Sequence, residues 1–354
     1  MLDRESISKL DSQQMLSSIE VLDKQCTDAW NATKGMEFHD AYKNISNIVL
    51  FGMGGSALGI HVVKTLFSDR LNVPVEIVND YSIPATVNGQ TLAVLSSYSG
   101  TTEEVVTVSK TILEKTKNVF VVATGGFLQE FSEEQHLPAY IFHPEFNPSN
   151  QPRMAVGYSV MAILGAFTSL GLLSVTDKEV EKMASFLQQL HETLGADVPE
   201  EQNPAKKIAA EINGRLPIFI SSEFLVGSTH VFTNQVNENG KCFAGRFTIP
   251  EMNHHLIEGF QQPRESLDRL LFVFITSAFY HDRNQKRYEV TRGVVEKNGI
   301  AATEIKLTGA NPFIQAFELL LFGSYVSFYL AILTQTDPSP IPNVDLLKNE
   351  LKKS

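Results

Sequence analysis

The chain has only two cysteines, Cys26 and Cys242. They can make neither a disulfide framework nor a cysteine-based metal site. Basic charge is also scarce: 29 Lys and Arg stand against 40 Asp and Glu, giving a net charge of -11. A field of that sign repels polyanions, so non-specific binding to nucleic acid or to an anionic membrane is not expected. One small phosphorylated ligand, held locally, remains compatible with it. The opening residues, Met1-Leu2-Asp3-Arg4-Glu5, lack the basic-then-apolar order of a secretory signal. No unbroken apolar run reaches the ~18 residues of a membrane span. The longest stretch, Ala316 to Leu333, is interrupted by Glu318, Gly323, Ser324, Ser327 and Tyr329, and reads as a buried helix. A cytoplasmic location is therefore expected. No H-x-x-x-H or H-E-x-x-H pattern occurs, and no metal is expected.

What is present is the composition of a protein with a sizeable core: 354 residues, 43% hydrophobic and 19% charged. That length accommodates one large domain or two medium ones. Residues 6 to 31 carry apolar positions at helical spacing and predict a pair of leading helices. Short apolar runs then alternate with helical stretches. Strands are predicted at Asn47–Phe51, Val73–Val78, Leu92–Leu95, Asn118–Ala123 and Ala139–Phe142. After a long apolar helix from Arg153 and a polar one from Asp177 to Leu194, an acidic, proline-containing stretch (197 to 204) reads as a linker. The grammar then repeats, with strands at Leu216–Ile220, Leu270–Ile275 and Ala302–Lys306 and helices at Leu225–Glu238 and Asn284–Lys297. Strands separated by helices predict an α/β fold with parallel sheets flanked by helices, in two halves that look like an old duplication.

Ligands of such sheets bind beyond the carboxyl ends of the strands. Two turns there carry candidate chemistry. Ser97-Tyr98-Ser99-Gly100-Thr101-Thr102 joins a strand to a helix, and its hydroxyls, helix dipole and free N–H groups suit an anion without any Lys or Arg. An ordinary helix N-cap accounts for one such turn equally well. The other turn, Gly52-Met53-Gly54-Gly55-Ser56, permits close backbone approach. It fails the dinucleotide fingerprint, because Ala57 stands where the third glycine belongs. Further candidates are weaker alone. Arg153, in Gln151-Pro152-Arg153, could sit beside an oxyanion or simply lie on the surface. Glu238, between Asn237 and Asn239, could be a general base or only part of a helix end capped by Gly240. His254 and His255, read as helical neighbours, point apart and suit acid/base work better than metal binding. Lys348 lies on an amphipathic tail helix that follows the proline-rich segment 336 to 342.

In this order, the motifs resemble the bifunctional phosphoglucose/phosphomannose isomerases of the sugar isomerase (SIS) superfamily. The resemblance runs from about residue 40 onward. Position 101 is Thr where some relatives carry Asn, and His255 stands where Asn is common. The resemblance implies a three-layer α/β/α arrangement in two SIS subdomains, residues 41–175 and 205–335. Helices at 1–40, a connecting helix and linker at 176–204 and a C-terminal arm at 336–354 complete the division. It implies a homodimer with shared active sites, no cofactor, and interconversion of glucose 6-phosphate and mannose 6-phosphate with fructose 6-phosphate. In that scheme Gly54, Gly55, Ser56, Ser97, Ser99 and Thr102 hold the phosphate, and Glu238 moves the proton between C1 and C2. Arg153 stabilises the enediolate; His254, from the neighbouring subunit, and Lys348 assist ring opening. A non-catalytic sugar-phosphate sensor, or an isomerase for another sugar phosphate, is the alternative. The sensor would need the phosphate turns but no base.

Overall fold

Three short helices open the computed structural model, which describes residues 2–353. They are α1 (Arg4–Leu10), α2 (Met15–Ile19) and α3 (Leu22–Thr33). The periodicity predicts two. The extra break falls at Asp11, whose carboxylate accepts from Met15 N and Leu16 N at 2.7 and 2.9 Å and so starts a new helix.

The first sheet is built from β1 (Asn47–Gly52), α4 (Leu58–Leu66), β2 (Val75–Val78), β3 (Thr91–Ser96), α5 (Glu103–Ile112), β4 (Val119–Ala123), α6 (Gly126–Glu134) and β5 (Ala139–Ile141). All its pairings are parallel, in the order β2-β1-β3-β4-β5. Both faces are covered, so β3 and β4 are buried throughout and read as unbroken apolar runs. A connecting group follows: α7 (Val156–Ser169), α8 (Asp177–Leu194) and α9 (Pro204–Ile212). A capping box between Thr176 and Glu179 starts α8. The expected linker at 197 to 204 ends as a cap, because the Asn203 side chain accepts from Ala205 N and Lys206 N and opens α9.

The second sheet comprises β6 (Leu216–Ser221), α10 (Val226–Glu238), β7 (Gly245–Thr248), α11 (Arg264–Leu267), β8 (Leu270–Thr276), α12 (Asp282–Lys297) and β9 (Ala301–Lys306). Its order, β7-β6-β8-β9, repeats the winding of the first four strands, again all parallel. The duplication expected from the alternation is therefore visible in topology. Two further helices close the molecule: α13 (Pro312–Leu333) and α14 (Pro342–Leu351).

Between the sheets lies a helical layer in which α4 of the first half packs on α10 of the second, with α7 and α13 beside them. One hydrophobic core runs through both halves, and a smaller one lies under α5 and α6 on the far face of the first sheet. The helix α13 is longer than the interrupted run in the sequence. Its 22 residues are apolar enough to cross a membrane by length and composition, yet all those from Phe313 to Ile332 are buried in this core.

Candidate active site

The turn after β3 is laced by its own hydroxyls, Ser99 Oγ accepting from Thr101 N and Ser97 Oγ from Thr102 N, each at 3.3 Å. Thr102 occupies the N-cap position of α5, but its side chain caps nothing. Its hydroxyl instead meets Ser97 Oγ at 2.6 Å. The ordinary N-cap reading therefore does not describe this turn. Ser99 Oγ pairs with Thr101 Oγ1 at 3.0 Å on the exposed rim. Ser56, from the glycine turn, accepts from Tyr98 N at 2.8 Å and keeps its own hydroxyl hydrogen available. The two turns thus form one surface, lined by hydroxyls and helix N-termini and free of Lys and Arg. Gly100, at φ +69°, lies so close to Gly125 that a Cβ would collide with the Gly125 carbonyl oxygen. The turn between β4 and α6 is thereby wedged beneath the hydroxyl turn, a support that sequence reasoning missed.

The glycine turn also joins this surface to Arg153. A Cβ on Gly55 would lie 2.8 Å from both Arg153 N and the Pro152 carbonyl carbon. Arg153 sits on a 3-10 turn, Pro152–Met154, just ahead of α7, whereas the sequence reading starts the long helix at Arg153 itself. It is buried, with 1% of its surface exposed. Its Nε donates to Asn239 Oδ1, its Nη1 to Gln151 Oε1 at 2.7 Å, and its Nη2 to the carbonyls of Pro338 and Ser339 at 3.1 and 2.8 Å. Nη1 also faces Glu238 Oε2 at 3.6 Å. Burial lowers the proton affinity of the guanidinium, opposed by the Glu238 charge.

Glu238 is the last residue of α10, with 30% of its side chain exposed. Burial raises its pKa above the ordinary glutamate value, against the charges of Arg153, Lys241 and Lys348. A carboxylate with raised proton affinity beside a fixed cation can take and return a proton. The expected glycine cap behind it is not left-handed. Lys241 is, at φ +50°, one residue after Gly240.

His254 lies elsewhere. The expected helix is a 3-10 turn, Glu251–His254, and His254 is exposed with no bond to Glu238, Arg153 or Lys348 among the described residues. His255 is engaged by Glu251 at 2.7 Å. Lys348 is exposed on α14, within electrostatic reach of Glu238. Of the candidates, the structure brings together Gly54, Gly55, Ser56, Ser97, Ser99, Thr102, Arg153 and Glu238, with Lys348 nearby and His254 apart. Asn239, Gln151 and the proline-arm carbonyls, which orient Arg153, are additions. Gln151 is two residues from Arg153, but Asn239, Pro338 and Ser339 lie far from it in sequence and no local pattern links them to it. Among the described residues no three His, Cys, Asp or Glu side chains gather as a metal site. Cavities of about 500 and 520 Å³ lie in the second half, lined by β9 and its neighbours and by none of these residues.

Two parallel sheets of common winding, with an anion-suited turn at the carboxyl end of one and the Glu238–Arg153 pair beside it, accord with what the comparisons with known proteins show, a phosphosugar isomerase of the SIS class. Residues 201–351 match the family described as the bacterial phospho-glucose isomerase C-terminal SIS domain. A bifunctional phosphoglucose/phosphomannose isomerase of Caldicellulosiruptor bescii is 32% identical, over 95% of this chain and 98% of its own. One of Aquifex aeolicus is 28% identical, over 90% and 95%. The chain belongs to the bifunctional phosphoglucose/phosphomannose isomerase family. A D-glucosamine-6-phosphate 4-epimerase of Sulfolobus acidocaldarius is also similar, 30% identical over 61% of this chain and 64% of its own. Among solved structures, a hypothetical protein of Thermus thermophilus shares the fold with a TM-score of 0.74 at 18% identity, covering 99% of this chain and 92% of that one.

Proposed function

We propose that this protein interconverts glucose 6-phosphate and mannose 6-phosphate with fructose 6-phosphate through a common enediolate. The observation that carries the reading is the pairing of Glu238 with a buried, fully oriented Arg153 next to the glycine turn. In the proposed reaction the substrate phosphate is held by the hydroxyls of Ser56, Ser97, Ser99 and Thr102, with Gly54 and Gly55 allowing the backbone to approach. Glu238 takes the C2 proton of the open-chain aldose and returns it to C1, leaving the ketose. Arg153 Nη1 stabilises the negative charge that develops on the enediolate oxygens. One planar enediolate reprotonated at C2 from either face serves both epimers. Lys348 and His254 assist ring opening, His254 reaching the site from a second copy of the chain. No cofactor or metal has a part in this scheme.

A coupled assay reads out fructose 6-phosphate formation from each aldose. Activity is expected with both, and Glu238→Gln is expected to lower kcat by about 10³-fold or more while fructose 6-phosphate still binds. Binding without turnover of either aldose by the wild-type protein would replace this reading with a sensor. Turnover of a 4-epimeric sugar phosphate instead would point to the chemistry of the Sulfolobus relative.

A further inference from the structure

The residue at the end of α10 that the proposed mechanism does not use is Lys241. It adopts a left-handed backbone conformation, φ +50°, which is uncommon for a residue with a long side chain. That conformation turns its side chain back over the helix end. There Nζ donates to three carbonyls: that of Glu238, that of Pro338 at 3.1 Å and that of Pro340 at 2.5 Å. An ammonium has three donors, so all are used within the protein. Arg153 grips the same arm through Pro338 and Ser339. Two cations therefore hold residues 338–340 by their backbone.

The grip lies directly before α14. This helix buries none of its residues, and Leu346 and Leu347 are each 60% exposed. Within one chain α14 has no core of its own, so the placement of Lys348 depends on how the arm is fastened at its base. The fastening has an electrostatic cost. Partial desolvation and the nearby Arg153 charge lower the Lys241 pKa to about 8, opposed by Glu238 and Asp337. An unusual backbone angle and a second cation beside Arg153 concentrate strain where the base and the arm meet, as functional sites do.

We propose that Lys241 is a positioning residue: its ammonium locks the proline arm to the carboxyl end of α10, so that Glu238 and Lys348 address one substrate. The inference rests on the isomerase reading above. It concerns presentation of the catalytic groups, whereas the proposed phosphate cradle lies in the other half of the molecule. A loss of kcat with little change in KM follows from it.

The test compares Lys241→Met, Lys241→Gln and Lys241→Arg in the full-length protein. The two neutral variants are expected to lose at least about 10-fold in kcat, with KM for fructose 6-phosphate kept within about twofold. Lys241→Arg, which can still donate to several carbonyls, is expected to recover most of the rate. Hydrogen exchange at residues 341–351 is expected to be faster in the neutral variants than in wild type. Unchanged kcat in both neutral variants, an arginine variant as slow as they are, or unchanged exchange in the arm would each overturn the proposal. If wild type turned over neither aldose, the isomerase reading would fail on that result alone. The exchange comparison would still decide whether Lys241 holds the arm.

Discussion

Every donor of the Arg153 guanidinium has a direction assigned to it. Nε and Nη2 are spent on Asn239, Pro338 and Ser339, and Nη1 is divided between Gln151 and the side facing Glu238. The side chain is therefore anchored by fixed acceptors, and one side of it faces Glu238. A lysine would keep the charge but has a single nitrogen, which cannot reproduce a planar fork. Arg153→Lys is expected to lower kcat by about 10²-fold or more, the scale of losing one oriented donor to a developing oxyanion. It also takes a donor from the Ser339 carbonyl, while Pro338 keeps Lys241, so steady-state kinetics should be accompanied by a denaturation curve. Wild-type kinetics in the folded variant would remove Arg153 from the mechanism. Glu238 carries a pH prediction of its own. The base works as the carboxylate, and its pKa is raised, so it takes up a proton at a higher pH than an ordinary glutamate. In the proposed reaction the acid limb of kcat/KM should accordingly lie at a higher pH than an ordinary glutamate would give, and Glu238→Asp should move that limb. A limb at or below the ordinary glutamate value would show that the neighbouring cations outweigh desolvation, and would count against a raised pKa for this carboxylate.

Among the elements, the two halves share a winding but differ at their turns. The turn after β6 corresponds to the glycine turn after β1, and Glu223 there has φ +50° where Gly54 has φ +46°. The Glu223 carboxylate reaches the start of α12, accepting from His281 N at 2.9 Å and Asn284 Nδ2 at 2.6 Å. The second half thus fills, with its own carboxylate, the place where the first half leaves an anion-suited turn open. Glu223→Ala is expected to cost about 1 kcal/mol in urea denaturation, typical of a lost helix-terminus bond, without changing kcat. A loss of activity instead would place the second turn in the reaction. The same comparison explains what the sequence could convey. Strands β3 and β4 are legible because burial on both faces leaves them as unbroken apolar runs. Strand β7 is not, because Gly245-Arg246-Phe247-Thr248 is a half-exposed edge with no apolar run. The glycine and hydroxyl turns are legible because each is local. The Lys241 grip is not, since it spans 97 residues to Pro338 and depends on tertiary packing.

At the scale of the whole molecule, two residues of the proposed reaction lie on the surface of the single chain, apart from the Glu238–Arg153 pair. His254 is exposed and unconnected to the base, and Lys348 rides a helix whose apolar side chains Leu346, Leu347 and Leu351 face solvent. Exposed leucines on an otherwise unburied helix are costly to leave in water and are the sort of surface a second copy covers. In the proposed reaction His254 comes from a second copy of the chain, and that reading has a quantitative consequence if a two-fold dimer sets each His254 at its partner's Glu238. Glu238→Gln and His254→Ala should each be inactive as homodimers. Mixed in equal amounts and allowed to exchange subunits, half of the dimers become hybrids. Each hybrid has one site in which both defects meet and one in which neither is present. Activity should therefore return to about a quarter of the wild-type level, set by dimer statistics alone. If each chain instead supplied its own histidine, every site in the mixture would carry one defect and no activity would return. Light scattering on the same samples fixes the oligomeric state, so a monomer would be recognised before complementation is interpreted.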